Sequence, residues 1–247
     1  FFYFVGMAMN APNFIVLKNN LTPRLPEWKA LIGPGGGQRY WSEGHPLVDT
    51  LFDFGVSSIL SLDLKFRFKD YRSPNEASEE IILELISLLK PTAPNKLIIT
   101  GYSTGGMILL RTLYDGMERL KNIIHEESII TMIGVSMRFL DPFTETYIHN
   151  FWTIESSKAD KKRLEFLEKN HGDDWPNVIT NCGRWMKRYS GLFLEVDEAS
   201  TLLDYYSSRI FFVMGENDSI DDNTPFFTPQ DIAKVFFILP GMNHGDD

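Results

Sequence analysis

Short, continuous apolar runs recur along the chain, separated by longer stretches in which apolar residues return every third or fourth position. The short runs are Phe14–Leu17, Trp28–Ile32, Ser58–Leu62, Lys96–Thr100, Ser128–Val135, Ile210–Met214 and Val235–Leu239. Each has the length of a strand. The last two are apolar at every position, which suits parallel strands covered on both faces, where polar and apolar residues need not alternate. Pro46–Phe54 carries Leu47, Leu51 and Phe54 on one helical face, and Ala77–Leu89 carries Ile81, Ile82, Leu85, Ile86, Leu88 and Leu89. Gly105–Leu120 is a third predicted helix, and Pro91 and Pro94 close the second. Strand and helix in alternation predict an α/β fold: a mostly parallel sheet flanked by helices, with right-handed crossovers.

The rhythm breaks between residues 137 and 206. That interval holds Trp152, Trp175 and Trp185 and a charged helical run from Ser157 to Lys169, whose Leu164 and Leu167 are expected to pack inward. No central strand is evident in it, and the strand pattern resumes afterwards. The expectation is therefore an inserted helical cap at 137–206, with 1–136 and 207–247 forming one core. A length of 247 residues with 43% hydrophobic content supports a single large domain of this kind.

Charge narrows the partners. A formal net charge of −9 argues against nucleic acid and against anionic membrane surfaces. Cys182 is the sole cysteine, so no internal disulfide forms, and a cytoplasmic location is the expectation. Phe1–Met9 is apolar but too short to span a bilayer; it reads as a first strand, with the remnant of a signal or anchor segment as the alternative. Both ends read as cuts through a longer chain. The acids are scattered and no His-x-x-x-His pair occurs, so neither a metal nor another cofactor is expected.

The strongest chemical signal is Lys96 to Leu110, a strand, then Gly101-Tyr102-Ser103-Thr104-Gly105-Gly106, then an apolar helix. A serine on so tight a strand-to-helix turn is presented at the carboxyl end of the sheet, and its flanking positions must be small for backbone to approach. It also stands at a helix N-terminus, which favours developing negative charge. An ordinary turn with an N-capping serine is the plainer alternative. A serine needs a base, and the base an orienting acid. Two later strands run into suitable loops: Ile210–Met214 leads through Gly215-Glu216-Asn217 to Asp218, and Val235–Leu239 leads through Pro240-Gly241-Met242-Asn243 to His244. Glu216, Asp221 and Asp222 are rival acids. Of the other histidines, His45 alone follows the glycine cluster Gly33-Pro34-Gly35-Gly36-Gly37 and is placed to line a pocket.

These three motifs, in this order, resemble those of the α/β-hydrolase superfamily over nearly the whole chain. Gly101-Tyr102-Ser103-Thr104-Gly105 resembles the nucleophile elbow, Gly215-Glu216-Asn217-Asp218 the acid turn, and Pro240-Gly241-Met242-Asn243-His244 the histidine loop. The resemblance implies Ser103 as nucleophile, His244 as general acid–base and Asp218 as the acid that orients it, with Tyr102 against the substrate. The glycine cluster resembles the His-Gly-Gly-Pro-Gly-Gly loop of proline iminopeptidase-like hydrolases, with Leu31 and Ile32 in place of the opening His-Gly. That likeness implies an oxyanion hole from the backbone N–H groups of Thr104 and of Gly33, with Gly35 as the alternative to Gly33. The implied activity is hydrolysis of a carboxylic ester or related acyl bond of an apolar small molecule, of the esterase, lipase or thioesterase kind. A peptidase or a carbon–carbon bond hydrolase would use the same machinery. A binding protein that keeps the fold without turnover is the reading from a different class.

Overall fold

The computed structural model describes residues 13–18, 22–36, 38–64, 73–89, 94–135, 146, 150–189, 194–217 and 235–242. Each predicted run within them forms a strand: β1 (Phe14–Lys18), β2 (Leu25–Gly33), β3 (Val56–Leu62), β4 (Lys96–Tyr102), β5 (Ile129–Ile133), β6 (Ile210–Gly215) and β7 (Phe236–Leu239). They make one sheet in the order β1-β3-β2-β4-β5-β6-β7. Every neighbouring pair is parallel except β1 with β3, which runs antiparallel at the edge. The expectation for Phe1–Met9 lies outside the described residues.

Side-chain alternation explains why the central strands are apolar throughout. On β2, Leu31 faces one core while Ala30 and Ile32 face the other; on β4, Leu97 and Ile99 face the first and Ile98 packs against the second. The first and larger core is closed by α2 (Pro74–Leu89), α3 (Ser103–Asp115) and α8 (Val196–Tyr206). The second is closed by α1 (Pro46–Phe54), through Val48 and Leu51. His45 caps α1, its Nδ1 accepting the Leu47 N–H, and Gly55 ends it at φ 109°.

Three expectations on element bounds are refined. β2 begins at Leu25, before Trp28, because Leu25 already pairs with Val56 across a register shift that accommodates Pro26. The helix expected over Gly105–Leu120 breaks at Gly116, after which α4 (Met117–Leu120) continues as one turn. The charged run from Ser157 is two helices, α5 (Ile154–Ala159) and α6 (Lys161–His171), because the Asp160 carboxylate accepts the Arg163 N–H and starts a new helix. Leu167 is buried and Leu164 partly so, facing inward as their spacing predicts. α7 (Trp175–Tyr189) follows a short 3-10 turn.

α8 is tied to α3 by an ion pair. Glu198 on its first turn pairs with Arg111 of α3 at 2.8 Å, and Arg111 also pairs with Asp115 at 2.6 Å. No helix among the described residues is long and apolar enough to cross a membrane.

Candidate active site

The parallel strands bring the ends of β2, β4, β6 and β7 to one edge of the sheet. At that edge Ser103 has φ 46°, and no other non-glycine residue among those described has a positive φ. The left-handed region is disfavoured for L-residues by about 1–2 kcal/mol, so the turn holds Ser103 against its own preference. Tyr102, in extended conformation, is the N-cap of α3, and it makes no side-chain capping bond. Ser103 opens α3 with a left-handed backbone.

The glycines explain how the turn can be so tight. Gly33, at the end of β2, lies in register with Gly101 of β4. A methyl on Gly33 would meet the Gly105 carbonyl oxygen at 2.8 Å. One on Gly105 would collide with the Pro34 carbonyl oxygen and the Gly33 carbonyl carbon, and one on Gly101 with the Cα of Gly106. The helix start thus lies directly on the ends of β2 and β4. The Gly105 N–H donates to the Pro34 carbonyl at 2.9 Å, fastening the glycine loop to the first turn of α3.

Beyond Pro34 the loop runs over the serine turn. Gly35 lies against the ring of Tyr102, and Gly36 lies between the Trp152 indole and the Thr104 hydroxyl. The structure therefore brings together Ser103, Thr104, Gly33 and Tyr102. Thr104 is buried and Ser103 and Tyr102 are half-buried. The N–H of Thr104, in the first turn, has no intrahelical acceptor by helix geometry, and the dipole there favours an anion.

The return of the loop is clamped to the end of β3. Arg39 makes a two-pronged contact with the buried Asp63, Nη2 to Oδ2 at 2.7 Å and Nε to Oδ1 at 3.3 Å. The Trp41 N–H donates to Ser61 Oγ, and the Leu64 N–H to the Arg39 carbonyl. The guanidinium is held more firmly protonated than usual, first by its hydrogen bond to Asp63. Arg39→Met is expected to lower stability by about 1–2 kcal/mol, the modest end for a charged hydrogen bond because Arg39 is half exposed. A thermal melt checks it, with a drop of roughly 2–8 °C for a domain of this size.

Asp218 and His244 lie outside the described residues, as do Asp221 and Asp222. The roots of their two loops are described, and they are bonded to each other. The Glu216 N–H donates to the Leu239 carbonyl at 3.0 Å, and the Asn217 N–H to the Met242 carbonyl at 2.9 Å. The Glu216 carboxylate accepts the Gly241 N–H at 2.8 Å. This rival acid is thus engaged in tying the two turns together. His45 sits on the α1 side, its ring stacked on Trp41 with centroids 4.4 Å apart. No cluster of metal-ligating side chains occurs among the described residues.

Sequence reasoning did not find Trp152 and Arg163 as neighbours of the glycine loop. In the sequence Trp152 stands out only as one of three tryptophans in the interval after β5. Its contact with Gly36 joins segments more than a hundred residues apart and leaves no local pattern.

The sheet order, the serine turn and the glycine loop define the α/β-hydrolase fold. Among solved structures, a carboxylesterase from the thaumarchaeon Nitrososphaera gargenis is similar at 15% identity, with 88% of this chain and 83% of that chain covered and a TM-score of 0.53. A meta-cleavage product hydrolase from Pseudomonas fluorescens is similar at 12% identity, with 94% and 86% covered and a TM-score of 0.56. A soluble variant of monoglyceride lipase from Saccharomyces cerevisiae is similar at 16% identity, with 94% and 83% covered and a TM-score of 0.51. No protein-family model and no curated protein sequence matches the chain.

Proposed function

We propose that the protein is a serine hydrolase that cleaves a carboxylic ester or related acyl bond through an acyl-Ser103 intermediate. The observation that carries this reading is the left-handed backbone of Ser103 beneath a glycine loop bonded to its helix. An ordinary strand-to-helix turn has no need to hold a serine there, whereas a nucleophile must project from the turn.

Ser103 Oγ attacks the substrate carbonyl, and His244 takes its proton. Charge then collects on the carbonyl oxygen, stabilised by the Thr104 N–H and that of Gly33. His244 returns the proton to the leaving group, and water releases the acid by the reverse sequence. Asp218 holds the imidazole in the required tautomer. The bond from the Asn217 N–H to the Met242 carbonyl ties the chain two residues before His244 to the turn after β6, one strand nearer to β4 than β7 is. Engagement of Glu216 with Gly241 favours Asp218 as the acid.

A fluorophosphonate probe tests the proposal. Covalent labelling of the parent protein at Ser103, blocked by prior reaction with a serine-directed inhibitor, is expected. An unlabelled, folded protein would instead favour a binding protein that keeps the fold without turnover.

A further inference from the structure

The glycine loop is fastened at both ends. Pro34 is bonded to the first turn of α3, and from Arg39 onward the chain is bonded to the end of β3. The stretch between carries Gly35 and Gly36, and a residue without a Cβ has the most permissive backbone of all. Gly36 nevertheless has a wall on either side. A methyl built on it would lie 2.9 Å from both Cζ2 and Cη2 of Trp152, and 3.5 Å from the Thr104 hydroxyl. Its φ lies outside the left-handed region. Steric contact with the indole, not backbone strain, is therefore what excludes a side chain here.

Trp152 is itself held from behind. It is buried, and a methyl on Gly183 of α7 would meet its carbonyl oxygen at 2.9 Å and its Cβ at 3.2 Å. Trp152 thus spans from α7 to the loop, with its backbone seated on one glycine and the far edge of its ring on another. Tryptophan offers a large rigid surface with only two side-chain torsions to fix, which suits it to hold a permissive backbone in one place. Such holding matters for an oxyanion donor, because misplacement in an active site by about 1 Å can cost about 10²-fold in rate.

We infer that Trp152 is a positioning residue for the oxyanion hole: its indole pins Gly36 towards Thr104, and so holds the loop that carries the Gly33 amide over the Ser103 turn. The inference rests on the Ser103 hydrolase reading. Trp152 acts through the loop and not on the reacting atoms, and through it the helices after β5 bear on catalysis.

The test is a size exchange across this contact, read by the kinetics of fluorophosphonate labelling. The phosphonyl oxygen occupies the oxyanion hole, so a misplaced loop lowers the maximal labelling rate and leaves probe binding nearly unchanged. Trp152→Phe removes the far edge of the indole and leaves a gap beside Gly36, whereas Gly36→Ala forces an overlap with that same edge. Each is expected to slow maximal labelling by about tenfold, a part of the 10²–10³ that loss of a whole donor costs. In the double variant the alanine methyl fills the space the indole left. Labelling should then recover to within about threefold of the parent, instead of falling the ~100-fold that independent effects would give. Trp185→Phe is the control for mere loss of packing. Trp185 is fully buried in the same core, so this variant should lower the melting temperature yet label at the parent rate. Single variants that label at the parent rate, a double variant as slow as the product of the two, or a Trp185→Phe protein slowed equally would each overturn the positioning role. Should Trp152→Phe fail to fold, Gly36→Ala still decides, since labelling at the parent rate overturns the role. A parent that is never labelled overturns the hydrolase reading, and the positioning role with it.

Discussion

Ser103→Gly is expected to abolish fluorophosphonate labelling and ester turnover while leaving the protein more stable than Ser103→Ala. Both variants lack the hydroxyl. Removal of the nucleophile from this kind of site lowers kcat by roughly 10⁴–10⁶-fold, so neither should turn over measurably. Their stabilities separate because the backbone at 103 is left-handed, with φ 46°. Alanine inherits the penalty of that conformation, about 1–2 kcal/mol, and glycine does not. Part of the gain is offset by the larger entropy glycine has in the unfolded chain, about 0.5–1 kcal/mol. A net advantage for glycine of about 1 kcal/mol would raise its melting temperature over the alanine variant by roughly 2–4 °C. A glycine variant less stable than the alanine variant, by the roughly 0.5–1 kcal/mol that unfolded-chain entropy alone costs, would mean that the turn stores no strain at Ser103, and the case for a built nucleophile position would lose its main support. Such strain is retained in folded proteins chiefly where the surrounding structure enforces it for function.

What could be read in the sequence follows from which interactions are local. The central strands were legible because they are buried and apolar on both faces, and burial of that kind is written into composition; β7, equally apolar, was legible although Phe237, Ile238 and Leu239 are exposed. The serine turn was legible because its glycines and serine are contiguous. Strand order was not, since nothing in Phe14–Lys18 records that it pairs antiparallel with β3. Gly116 breaks the helix through α3, although an isolated glycine costs a helix only about 1 kcal/mol. Here the break is favoured by packing: a methyl at Gly116 would meet Leu120 Cδ1 at 2.7 Å and the Thr112 carbonyl oxygen at 2.8 Å. The clamp between Arg39 and Asp63 was equally silent, because ion-pair partners on different elements leave no periodic trace. The bonds from Glu216 and Asn217 to the turn after β7 belong to the same class. They align two loops whose motifs were visible separately but whose adjacency was not.

Gly105→Ala is expected to be the most damaging single-atom-scale change in the site. The added methyl would collide with the Pro34 carbonyl oxygen and the Gly33 carbonyl carbon, and would lie 2.7 Å from the Pro34 nitrogen. All three are backbone atoms, so no rotamer change relieves the contact. Gly33 cannot retreat, because β2 is paired on both sides, with β3 and with β4, and its Ala30, Leu31 and Ile32 are fully buried. The helix cannot retreat either, since the methyl-free face of Gly106 is pressed against Val135 and Gly101. Overpacking of this kind typically costs 1–3 kcal/mol, and loss of the Gly105 N–H bond to Pro34 adds about 1 kcal/mol. A fall of roughly 5–15 °C in melting temperature is therefore expected. If the glycine loop swings away instead, stability is partly kept but the Gly33 amide leaves the serine turn, and labelling should fall by about 10²-fold, the usual effect of losing one oxyanion donor. Gly172→Ala is the control: φ there is also positive, at 55°, but no atom lies near the added methyl. With ψ at −141° this is a conformation almost confined to glycine, so the change should cost about 1–3 kcal/mol and leave labelling unchanged. A Gly105→Ala protein that matched this control in both melting temperature and labelling would show that the loop and the helix start are not in contact, and the proposed oxyanion hole would have no support from this edge of the sheet.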